Sequence, residues 1–159
     1  MLFRSNPPIS FVDVTSRAGI RFVSTFGSIN KTSITDVNGS GAAVLDFDRD
    51  GFMDLYIVNG ARPGQKGSGN ALYRNLGDGR FQDVTSGSGL GDYGWDLGAV
   101  AADYDNDGWK DIFLANGHVY PEADRIAGIA GFKQPNLLYR NTAQGKFVDV
   151  STAAGPGLQ

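Results

Sequence analysis

Cysteine is absent from this chain, glutamate and histidine occur once each, and no apolar run approaches the ~20 residues that span a bilayer. Without cysteine there is no disulfide framework, no thiolate metal site and no cysteine nucleophile. The single His118 leaves nothing from which a histidine-rich zinc centre could be built. Lys and Arg form no cluster, and a net charge of −3 offers no footprint for nucleic acid. The opening MLFRSNPPIS lacks the long apolar centre of a signal peptide. The scarcity of glutamate says most. Of 17 acidic residues 16 are aspartate, beside 23 glycines. Helices favour Glu, whereas Asp and Gly favour turns and loops, so the bias predicts an all-β chain with elaborate loops. At 159 residues and 41% hydrophobic, the chain is long and apolar enough for one domain with a real core.

What the chain does have, it has twice. DFDRDGFMD (Asp46–Asp54) and DYDNDGWKD (Asp103–Asp111) each hold four aspartates in nine residues around a glycine at position six. GSGAAVLDFDRDGFMDLYIVNG aligns with WDLGAVAADYDNDGWKDIFLANG, and NALYRNLGDGRFQDVTSGSGL with NLLYRNTAQGKFVDVSTAAGP. A third copy of the tail phrase, FVDVTSRAGI, begins at Phe11. Each long repeat reads as four short strands rich in Val, Ile, Phe and Tyr and bounded by Gly, Asn and Asp. They are GAAVLD, MDLYIV, ALYRN and RFQDVT in the first repeat, and GAVAAD, KDIFLA, LLYRN and KFVDVS in the second. GDGR and AQGK supply tight turns between the third and fourth strands. Four antiparallel strands per unit of about 60 residues is the pattern of a β-propeller blade. The expected organisation is one partial propeller over 1–159: an orphan strand at 11–15, a blade over about 39–90 and a blade over about 95–155. A closed ring needs roughly 4–8 blades. Two readings follow: a piece of a longer propeller, or a ring completed by three or four copies, with the orphan strand closing each joint.

Four carboxylates packed this closely repel one another unless a cation gathers them. In D-x-D-x-D-G-x-x-D, positions 1, 3 and 5 turn inward, the glycine allows a sharp bend, the carbonyl of position 7 points in and position 9 closes the cage. So many hard oxygens suit Ca²⁺, which takes ~6–8 of them, better than Mg²⁺, which keeps its waters and its octahedron. An EF-hand would need a glutamate at position 12 between helices, but Ile57 and Leu114 stand there, inside expected strands. The plain alternative, Asp as a turn former alone, is weakened by two copies that keep all four acids.

Other residues invite a role and a plainer reading. His118 in NGHVY reads as a turn residue, since no nucleophile–base constellation accompanies it. Arg74 and Arg140 recur in the two LYRN phrases, which points to a repeated structural contact with a neighbouring strand or blade. Trp95 and Trp109, with Tyr93, Tyr104 and Tyr120, are expected to fill the space between blades, with a sugar-stacking face as the alternative. The stretch Val119–Pro135 is the one long non-repeating loop, with a hint of a helical turn in EADRIAGIAG, and is the candidate partner contact.

These phrases resemble the FG-GAP/VCBS repeat, the blade unit of integrin α-subunit propellers. The match looks closer to the group related to cartilage acidic protein, with its ASPIC/UnbV-associated propellers, through FVDVTSRAGI, NGHVYP and LLYRNTAQGKFVDVSTAAGPGL. The resemblance implies two Ca²⁺ sites. One has Asp46, Asp48, Asp50, Asp54 and the Phe52 carbonyl as ligands; the other has Asp103, Asp105, Asp107, Asp111 and the Trp109 carbonyl. It also implies adhesion or recognition outside the cytoplasm, extracellular or periplasmic, where calcium is millimolar.

The expected function is therefore a non-catalytic, calcium-binding module that recognises a protein or a glycan, without nucleic acid or a membrane span. The rival class is a catalytic or accessory propeller of a carbohydrate-active enzyme, with a carboxylate pair at work. Against it, the eight loop acids are consumed in cages, which leaves chiefly Asp36, Asp92, Asp96 and Glu122. A third reading is an inert fragment of a longer propeller protein.

Overall fold

The computed structural model describes residues 9–24, 40–59, 69–91, 96–117, 134–143 and 145–158. Its architecture is all-β, two four-stranded antiparallel sheets with no α-helix among the described residues. The first sheet runs β1 (Ala42–Leu45), β2 (Asp54–Ile57), β3 (Ala71–Asn75) and β4 (Phe81–Asp83). The second runs β5 (Asp96–Ala102), β6 (Asp111–Asn116), β7 (Leu137–Asn141) and β8 (Phe147–Asp149). Strand order follows chain order in both, so each sheet is a simple meander, as in a propeller blade.

The alternation of side chains along each strand decides which face is buried. Ala43 and Leu45 of β1 turn inward while Val44 is exposed. Opposite them, Ala43 pairs with Tyr56 and Leu45 with Asp54, so one face collects the apolar groups together with one buried carboxylate. The core spans both sheets: Leu45, Phe47, Tyr56, Val58, Leu72 and Leu90 meet Ile112, Leu114, Tyr139 and Phe147. The innermost strands approach so closely that a Cβ on Gly41 would lie 2.7 Å from Gly98 Cα. Gly41 and Gly98 each stand five residues before the first aspartate of their loop.

Each blade is joined to the preceding tail phrase by the same contact. Phe81 N donates to Ala18 O at 2.8 Å, and Phe147 N donates to Ser88 O at 2.7 Å. Ala18 and Ser88 each lie seven residues after the Phe of their own tail phrase. Residues 15–19 form the turn that docks on the first blade, but Phe11–Thr15, expected as an orphan strand, joins no sheet among the described residues. The orphan strand was expected to close a blade other than these two, and Phe11 is 94% exposed. His118, Trp95, Tyr93, Tyr120, Asp36, Asp92, Glu122 and nearly all of the 119–135 loop lie outside the described residues.

Candidate metal centres

The two aspartate loops sit at matching corners, between β1 and β2 and between β5 and β6. Their backbones agree at both positions of positive φ. Position 4 is left-handed in both, with Arg49 at φ 61° and Asn106 at φ 58°, and position 6 is glycine at φ 89° in both. The bend that the glycine permits is therefore used, and Arg49 accepts a conformation that few L-residues adopt.

The carboxylates organise their own loop. Asp46 accepts from the amides of Asp50 (3.1 Å) and Gly51 (3.0 Å), and Asp103 accepts from Gly108 N (3.0 Å). Asp48 Oδ1 and Asp50 Oδ1 accept from Asp50 N and Phe52 N; Asp105 Oδ1 and Asp107 Oδ1 accept from Asp107 N and Trp109 N. The ninth position is buried. Asp54 takes Phe47 N at 3.0 Å on one oxygen and Asn75 N at 2.8 Å on the other. Asp111 takes Tyr104 N at 3.1 Å and Asn141 N at 2.8 Å in the same way.

Oxygens of Asp46, Asp48 and Asp50 lie within 4.8 Å of one another, as do oxygens of Asp103, Asp105 and Asp111. Asp54 stands apart from the first trio and Asp107 from the second, so three of the four acids converge in each loop. The donor set is all carboxylate, which suits a hard cation. Asp103 Oδ1 is buried and has no hydrogen-bond partner, a cost that a coordinated cation would remove. The residues present fit a divalent ion such as calcium.

Burial pushes the Asp54 carboxyl up from 3.8 to about 6. The amides of Asn75 and Phe47 oppose the rise, while the charges of Asp48 and Asp50 add to it. Burial raises Asp111 for the same reason, against the Asn141 and Tyr104 amides. The native state therefore holds its proton more tightly than the unfolded chain. This contribution to stability is full below pH 3.8 and is lost as pH rises through about 6. In chelator, the melting temperature is expected to fall on crossing that window upward, and Asp54→Asn to flatten the slope. A slope identical in wild type and variant would refute the assignment.

Several residues that hold these loops carry no obvious sequence signal. Asn75 of the first LYRN phrase donates Nδ2 to Met53 O at 2.9 Å, alongside its amide bond to Asp54. Asn141 of the second is 1% exposed and donates to Lys110 O at 3.2 Å. Asn141 also reaches the preceding blade, donating to Phe47 O at 2.9 Å. Phe47 lies against Phe147 with ring centroids 6.3 Å apart. Arg49 leaves its own loop and places its guanidinium 4.9 Å over the ring of Trp109, against Gly108. Trp109 thus does sit at the join between blades, as expected.

The arginines depart from expectation. Arg74 does not reach another blade but turns onto the aspartate loop of its own. Its Nε lies 2.6 Å from Asp48 Oδ2, off the N–H direction, and Nη2 donates to Asp50 Oδ2 at 3.0 Å. Those acids hold the Arg74 guanidinium above its ordinary pKa. Arg140 is exposed and makes no ion pair among the described residues. A shared phrase at the same register of β3 and β7 has not produced a shared contact.

Residues 46–114 match a family model described as an FG-GAP-like repeat. The matched stretch opens on the first aspartate of the first loop and includes the whole of the second. Among curated proteins, none matches the chain significantly.

Proposed function

We propose that this chain is a calcium-binding, non-catalytic propeller module that recognises a protein or glycan outside the cytoplasm. The observation that carries the reading is the duplicated aspartate corner, with one backbone geometry in two blades inside an FG-GAP-like repeat. Asp46, Asp48, Asp50 and Asp54 with the Phe52 carbonyl would hold one ion. Asp103, Asp105, Asp107 and Asp111 with the Trp109 carbonyl would hold the other. Bound calcium supplies positive charge at each corner, and two ions would carry the formal charge from −3 to +1. The protein's own part is to fix the corner, through the amides of Asn75 and Asn141 on the ninth aspartates.

Six of the eight loop acids converge in two trios, and a bound cation would hold them ionised, which supports recognition over turnover. Calcium at millimolar levels suits an extracellular or periplasmic setting. Isothermal titration with calcium is expected to give two sites per chain. Asp48→Asn with Asp50→Asn should remove one of them, and Asp105→Asn with Asp107→Asn the other. Absence of saturable binding would overturn the reading. Glycan and protein arrays probed with and without calcium then test recognition, beside a hydrolase substrate panel on which no turnover is expected.

A further inference from the structure

The two corners share a backbone but differ in one charge. In each, the Oδ1 atoms of positions 3 and 5 are already engaged by backbone amides. Among the described residues no backbone amide donates to the Oδ2 atoms of those two residues, which leaves them the more open to an ion. In the first corner both are taken by one guanidinium: Arg74 pairs with Asp48 Oδ2 and Asp50 Oδ2. In the second corner no basic group pairs with Asp105 or Asp107 among the described residues, and Arg140, in the equivalent position on β7, is exposed. Arg49, the base within the first loop, is committed to the Trp109 ring and does not take over the role of Arg74.

We infer that Arg74 is an internal competitor for the first corner and makes it the weaker of two unequal cation sites. The inference rests on the calcium reading given above. A carboxylate oxygen has lone pairs enough for both a guanidinium N–H and a metal ion. The two cations, however, would then share an oxygen, close enough to repel strongly. Calcium entry at the first corner must displace Arg74 or bind beside it, at a loss of affinity either way. The second corner fills first. Arg74 thereby sets a threshold: the corners load in sequence as calcium rises, rather than together.

The test follows the order of filling. Trp109 occupies the seventh position of the second loop, so terbium in that corner is sensitised by an adjacent indole. In the wild-type chain, sensitised emission should saturate within the first equivalent of terbium, while calorimetry continues to report a second, weaker calcium site. Arg74→Gln is expected to tighten the weaker site by about tenfold or more, without moving the stronger one. Arg74→Lys keeps the charge and should stay near wild type, and Arg140→Gln should move neither site. In the unaltered chain, the Arg74 Nε resonance should shift in step with the weaker site, a readout that needs no variant to fold. Equal sites in the wild type, a weaker first site in Arg74→Gln, or an Nε resonance indifferent to calcium would each overturn the inference while leaving the calcium reading intact. No saturable binding in any of these proteins would overturn both.

Discussion

Saturating calcium is expected to raise the melting temperature of this protein by about 10–20 °C over the same chain in chelator. The magnitude follows from linkage. Each ion at a hundred times its dissociation constant adds about 2.7 kcal/mol, so two add about 5 kcal/mol. For a domain of this length each kcal/mol is worth roughly 2–4 °C. The structure explains why the effect should be large. Asp54 is fully buried and Asp111 nearly so, each with a carboxylate that burial drives toward neutrality. Without a counter-ion they must either take up a proton or remain charged beside Asp48 and Asp50, or Asp105 and Asp107. A divalent ion bound at each corner would relieve this cost. Differential scanning calorimetry of metal-loaded protein, before and after EDTA, checks this. A melt that does not move would refute a structural role for calcium.

The second large effect is expected from a single methyl group. Gly89 stands at φ 88°, where an added Cβ would lie 2.2 Å from Phe147 O, a backbone atom with no freedom to swing away. Gly89→Ala forces the tail of the first blade off β8 and breaks the bond from Phe147 N to Ser88 O. Strain at positive φ and overpacking together put the loss at about 3–5 kcal/mol. Gly87→Ala is the matched control. It has similar φ, 83°, but nothing within 4 Å of the new Cβ, so it should lose only about 1 kcal/mol. Thermal melts of the two variants in calcium decide the matter, and equal losses would remove the junction from the explanation.

The strands were legible because local preference and burial agree in them. ALYRN and LLYRN are β3 and β7 to the residue, since Gly, Asn and Asp punctuate both ends. β5 is longer than its phrase GAVAAD, beginning at Asp96 with an irregularity between Asp96 and Gly98, which no propensity marks. The aspartate corners were legible because the same D-x-D-x-D-G-x-x-D spacing recurs between two strands, and three acids converge in each. What holds those aspartates was not. Asn75 and Asn141 look like strand-end residues, and only the fold brings their amides onto buried carboxylates. Likewise nothing in LYRN distinguishes Arg74, turned onto Asp48 and Asp50, from the exposed Arg140. Periodicity predicts where a side chain starts. It does not predict which neighbour the chain later puts within reach.

The approach of β1 to β5 bears on how such blades could be exchanged between proteins. The contact is one-sided: Gly41 has Gly98 Cα, Leu97 O and Ala99 N within 3.3 Å of its absent Cβ, whereas Gly98 meets nothing within 4 Å. A chimera that replaced the second blade could carry a larger residue at position 98. One that replaced the first would have to keep glycine at 41, or the two sheets would be wedged apart at their inner edge. Shuffling of these units is thus constrained by the blade that comes earlier in the chain.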